Sequence, residues 1–174
     1  MTGPCFVDAD VFVYARDPRD AAKQARALQW IAHLWQERLG RTSVHVLSEY
    51  YVFATRTLKP NVAPGAAWDD VRELMAWRPL AVDEALLWRA REIEQRWDLS
   101  WRDSMVVGAA QLQDCVLLLT EDLPDGAAFG GVTARSPFTL SAEEPSAIYA
   151  VTPPARSRHR PRGRPRRLAQ AAGA

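Results

Sequence analysis

Apolar positions in this chain fall into short blocks, separated by longer stretches in which they recur at helical spacing. Cys5-Phe6-Val7 and Val116 to Leu119 are too short for helices and are expected as buried strands. Phe12, Val13 and Tyr14 continue the apolar character of the first block beyond Asp10. Arg41 to Val44, Pro79 to Val82 and Gly131 to Ala134 are weaker strand candidates. The turn Asp17-Pro18-Arg19-Asp20 leads into a helix over Ala21–Leu39, where Ala25, Leu28, Ile31, Ala32 and Trp35 share a face and Gly40 supplies the stop. Ser43 is placed to cap a helix from His45 to about Leu58, which Pro60 ends. Pro64-Gly65 opens another, with Trp68, Val71, Leu74 and Met75 on one side. Asp83 caps a helix to about Trp97 that buries Leu86, Leu87, Ala90 and Ile93. A last helix covers Leu99 to Gln113 and is nearly apolar from Met105 to Ala110. Helices alternating with short apolar strands predict an α/β fold, a three-layer sandwich of a short parallel sheet flanked by helices.

Charge divides the chain. The net charge of +1 conceals seven arginines and no acids from Pro153 onward, against 15 basic and 21 acidic residues before it. The expected organisation is a domain over 1–140, a connecting segment over 141–152, and a disordered Arg/Pro-rich tail over 153–174 with nothing to bury. No run approaches the ~20 apolar residues of a membrane helix. Met-Thr-Gly-Pro is no secretory leader. Cys5 and Cys115 sit in apolar runs outside any CxxC pair, which fits reduced thiols in a cytoplasmic protein and argues against zinc. Most of the seven tryptophans lie on helices and read as packing residues, with Trp101 the one placed to stack on a base.

Four carboxylates stand in unusual places. Asp8 directly follows an apolar strand, and Asp122 stands in Thr120-Glu121-Asp122, where the strand Val116 to Leu119 ends. Glu49 shares a helical face with Val46, Tyr50 and Phe53 and needs a cation, either a metal or an arginine such as Arg56. Asp103 occupies the third helical position after Ser100, as a capping box or as an acid aimed out of the helix start. Strand C-ends and the following helix starts share one edge of a parallel sheet, so these acids can converge. Like charges so assembled call for a hard divalent cation, magnesium or manganese. Asp10, Thr120 and Asp125 are possible accessory groups.

The order Phe-Val-Asp-Ala-Asp-Val-Phe-Val-Tyr-Ala, Val-Leu-Ser-Glu-Tyr-Tyr, Leu-Ser-Trp-Arg-Asp-Ser-Met-Val-Val-Gly-Ala-Ala and Leu-Leu-Leu-Thr-Glu-Asp-Leu resembles a PIN domain, and more narrowly a VapC-type toxin. The resemblance runs from about Phe6 to Phe138 and leaves the tail out. It implies a magnesium-dependent endoribonuclease that hydrolyses RNA by a two-metal-type mechanism. Asp8, Glu49, Asp103 and Asp122 would be its catalytic, metal-binding acids, with a protein antitoxin as inhibitor. Asp10 departs from the family, which usually has a small polar residue there, and Asp125 offers a rival to Asp122. The apolar early helices suggest a homodimer. A catalytically inactive PIN domain is one alternative. A haloacid-dehalogenase-type phosphatase is another, since Asp8-x-Asp10 follows a strand, but Lys23 and Lys59 are poorly placed for its phosphate. A dinucleotide fold is excluded because no GxGxxG follows the first strand.

Overall fold

A computed structural model describes residues 3–140; the expected segments 141–152 and 153–174 lie outside the described residues. In chain order the elements are β1 (Cys5–Val7), α1 (Ala9–Arg16), α2 (Ala21–Glu37), β2 (Gly40–Arg41), α3 (Val44–Arg56), α4 (Pro64–Leu74), α5 (Glu84–Trp97), α6 (Trp101–Leu112), β3 (Leu117–Leu119), β4 (Ala128–Phe129) and β5 (Val132–Arg135). A short 3-10 turn at Met75–Trp77 extends α4. The sheet order is β2-β1-β3-β5-β4, parallel throughout except for the β4–β5 hairpin. β1 and β3 are completely buried at its centre, in register from Cys5 opposite Leu117 to Val7 opposite Leu119. Helices flank the sheet, α5 packing along α6 and α1 against both α2 and α3. This is the expected sandwich.

The caps form where the sequence places them. Ser43, Asp83 and Ser100 each accept a backbone N–H three residues on, and Pro64 takes the first position of α4, where its missing N–H costs nothing. Other features differ. Phe12 and Val13 belong to a helix, α1, that begins directly after Asp8 rather than prolonging the strand. α2 turns Ala27, Trp30 and Leu34 into the core and leaves Ala25, Leu28 and Ala32 exposed. It ends at Arg38 in the left-handed conformation, so Gly40 is not its stop. Gly40 lies in β2 because a Cβ there would come within 2.6 Å of the Trp77 ring. Trp68 on α4, Met75 in the 3-10 turn and Leu87 on α5 are exposed, while Ala67 and Ala90 are buried. Trp88 is exposed as well, whereas Trp30 and Trp77 are buried. The Pro79–Val82 candidate reduces to one parallel bridge between Ser43 and Leu80. Cys5 and Cys115 are free and buried, and burial pushes both thiols up, Cys115 to about 12. Among the described residues no helix is long and apolar enough to cross a membrane.

Candidate active site

β1 reaches the sheet edge at Asp8, which is 1 % exposed. Its Oδ1 accepts the Ala9 N–H at 2.7 Å and so caps α1, while Oδ2 accepts the hydroxyl of Thr120 at 3.0 Å. Thr120 is itself fully buried just past β3 and accepts the Asp122 N–H at 3.1 Å. The two strand-end acids are therefore tied together through one threonine hydroxyl. Half-buried Asp10, in the first turn of α1, accepts the Glu121 N–H at 2.6 Å and joins α1 to the same loop.

Asp103 arrives from the start of α6. The Ser100 cap accepts the Asp103 N–H at 3.1 Å, and the Ser100 hydroxyl donates to Asp103 Oδ2 at 2.6 Å. The capping role and the position in the cluster coexist, because the second carboxylate oxygen is left to face the site. Glu49 stands in the second turn of α3, with one oxygen toward the cluster. Its Oε2 is buried and accepts no hydrogen bond.

Arg102 lies at the centre, a residue given no role from the sequence. Its Nε donates to Glu49 at 3.0 Å, Nη1 to Asp122 at 2.8 Å and to Asp103 at 3.4 Å, and Nη2 to Asp8 at 3.5 Å. One guanidinium thus touches all four expected acids. Arg56 does not supply the cation that Glu49 needs; Arg102 does, with His45 Nε2 at 3.5 Å from the same oxygen. The only available signal was that Arg102 precedes Asp103, and neighbours one apart on a helix normally diverge. Asp125 stays outside the group, held by Arg135 at 2.8 Å and by the Ser136 N–H. Lys23 is closer than expected, its ammonium paired with Glu121 at 2.6 Å.

Electrostatics follow from burial. Desolvation pushes the Asp8 carboxyl up to about 6, against the pull of Arg102 and the Ala9 and Thr120 hydrogen bonds. Burial and the neighbouring Asp8 raise Asp10 as well. Burial alone would lower the Arg102 guanidinium, but Asp8, Glu49 and Asp122 outweigh it and hold the charge firmly on. Oxygens of Asp8, Asp10 and Asp122 lie within 4.8 Å of one another. That all-oxygen donor set fits a hard divalent cation. Beside the acids a cleft of about 580 Å³ runs between α1 and α3, walled by Val13, Val52 and Phe53.

The chain matches the family model described as the PIN domain over residues 5–123. Among solved structures it is similar to VapC20 of Mycobacterium tuberculosis, a toxin that cleaves the sarcin-ricin loop. That likeness has a TM-score of 0.52 and 20% identity, and covers 74% of this chain and 98% of the other. No curated protein matches the chain.

Proposed function

Because the chain belongs to the PIN domain family, we propose that it is a metal-dependent endoribonuclease, the toxin of a toxin–antitoxin pair, cutting RNA by two-metal-type hydrolysis. The observation that supports this reading best is that Asp8, Glu49, Asp103 and Asp122 all surround one guanidinium at the mouth of a parallel sheet, with oxygens of Asp8, Asp10 and Asp122 close enough to share a cation. Ligand sites of open α/β sheets lie at that edge. VapC20, whose fold the chain shares, is a toxin that cleaves the sarcin-ricin loop, which supports an RNA substrate here.

In this reading Asp8, Asp10 and Asp122 hold magnesium or manganese, with Glu49 and Asp103 completing the acidic set. The bound cation would supply Lewis-acid charge to an attacking water and to the phosphoryl oxygens. The chain does the positioning. Thr120 fixes the rotamer of Asp8 and the approach of Asp122. The Ser100 cap holds Asp103 in the first turn of α6. Glu49 Oε2, buried and unpartnered, is an acceptor still lacking a donor or cation. Exposed Trp101 is placed to stack on a base next to the cut. Inhibition by an antitoxin would follow from a basic side chain entering the acids. The exposed Leu28, Val52, Phe53 and Trp68 on α2, α3 and α4 support a homodimer through these helices.

The test is cleavage of single-stranded RNA by the purified chain with magnesium, with manganese and with a chelator. Asp8→Asn and Asp103→Asn should each lower cleavage by at least ~100-fold, as loss of a group positioned for the transition state does. Their circular dichroism should stay unchanged. Full activity in both variants, or in chelator, would remove the mechanism. Growth arrest on expression, relieved by co-expressing the neighbouring reading frame, would place the chain among toxins.

A further inference from the structure

We propose that Arg102 is a built-in rival of the divalent cation: its guanidinium holds the acids until the cation displaces it, and then takes a phosphate of the RNA. The inference rests on the metal-dependent nuclease reading above. Three guanidinium nitrogens reach four carboxylates, at 2.8 Å to Asp122, 3.0 Å to Glu49, 3.4 Å to Asp103 and 3.5 Å to Asp8. The trio whose oxygens can converge on a cation is Asp8, Asp10 and Asp122. Two of its three members are already held by Arg102. A double positive charge a few ångströms from a fixed guanidinium is strongly repelled, so the two cannot share Asp8 and Asp122.

The remaining contacts leave Arg102 this task alone. Lys23 is taken by Glu121 and by the Tyr14 hydroxyl. His45 meets only Glu49, at 3.5 Å. Without Arg102 the metal-free cluster of Asp8, Asp10, Glu49, Asp103 and Asp122 would hold five acids and no permanent cation among the described residues. The side chain is also free to leave. It is 35% exposed, and its backbone is fixed in the first turn of α6 by the Ser100 cap, so only side-chain rotation is needed. Swung outward, a bidentate donor stands one residue from Asp103 at the rim of an otherwise acidic site. The anion that must come there is the RNA phosphate, which the acids alone repel.

A permanent ion pair that merely organises the acids makes the opposite prediction for metal binding. The experiment is calorimetric titration of Mn²⁺ into the full chain and into Arg102→Gln, without RNA. Removal of the rival should tighten Mn²⁺ binding at least ~10-fold, a lower bound for taking a cation from beside a divalent ion at a half-exposed site. Unchanged or weaker binding overturns the inference while leaving the nuclease reading intact. Failure of the unmodified chain to bind Mn²⁺ at all would overturn that reading too. A second measurement does not need a neutral variant to fold. The Arg102 Nε–Hε resonance, assigned by its loss in Arg102→Lys, should shift when Mg²⁺ is added to the unmodified chain; an unmoved resonance refutes displacement. For the phosphate half, the log–log salt slope of KM for RNA should become shallower by roughly 0.7 in Arg102→Gln, the value of one single-strand contact. An identical slope overturns it.

Discussion

Replacing Asp8 by asparagine should stabilise the metal-free protein while it silences the site. The Asp8 carboxyl is raised from 3.8 to about 6, with burial as the leading cause. At neutral pH its ionised form is therefore disfavoured in the fold by roughly 3 kcal/mol, at about 1.4 kcal/mol per pH unit. Asparagine keeps an acceptor for the Ala9 N–H, so the α1 cap survives. The raised value already includes the attraction to Arg102, so the further cost of asparagine is the disturbed Thr120 hydrogen bond. A net gain of about 1–2 kcal/mol remains, or roughly 3–6 °C in Tm for a chain of this size. The sign depends on pH in a specific way. Between about pH 4 and 6 the folded state keeps the Asp8 proton that the unfolded state has lost, so stability falls as pH rises through that window. Below it both states are protonated and the penalty is absent. The gain from Asp8→Asn should thus be full at pH 7.5, shrink as pH falls below about 6, and vanish near pH 4. Urea unfolding of both proteins in chelator at these pH values measures it. A variant less stable than its parent at pH 7.5, or a gain at pH 4 equal to that at pH 7.5, would refute the reasoning.

Gly40→Ala places a methyl 2.6 Å from the Trp77 ring, which is already wedged against Phe12 and Trp35. It should cost about 1–3 kcal/mol by overpacking, read as a lower urea midpoint at unchanged slope. Deleting residues 153–174 removes seven arginines and should weaken RNA binding and flatten its salt dependence, by roughly 0.7 in the log–log slope per lost phosphate contact. Turnover at saturating RNA should barely change, and titrating RNA affinity against salt for both chain lengths checks the pair of claims.

The parts of the site legible in the sequence were those written in strand ends and caps. Asp8 was visible because an apolar run stops at it, Asp122 because it lies in the short polar stretch just past another, and Asp103 because Ser100 precedes it at capping distance. Glu49 was visible because a carboxylate interrupts an apolar face, and the need for a cation followed at once. The cation itself was hidden. Arg102 finds partners 53 and 94 residues away, and only the closed fold brings them together. α1 was hidden for a different reason. Val11, Phe12 and Val13 are all buried, so the eight-residue helix shows no periodicity and reads like more strand. In α2 apolar residues surround the helix, and the pattern could not choose Ala27, Trp30 and Leu34 over Leu28 and Ala32. β4 is two residues long and carries no pattern at all.

The passage from β1 to α1 takes a single residue, and that residue is Asp8. A strand that becomes a helix without a loop has no slack. One residue inserted after Asp8 would rotate everything beyond it by about 100° around the α1 axis. Val11, Phe12 and Val13 would leave their places in the interior, and Asp10 would lose the Glu121 N–H. The junction therefore fixes chain length locally as strictly as it fixes residue type. Room for a tag, a nick or an added segment has to be sought where the backbone runs outside. Among the described residues, the exposed stretch around Lys59, Pro60 and Asn61, between α3 and α4, is one place that offers it.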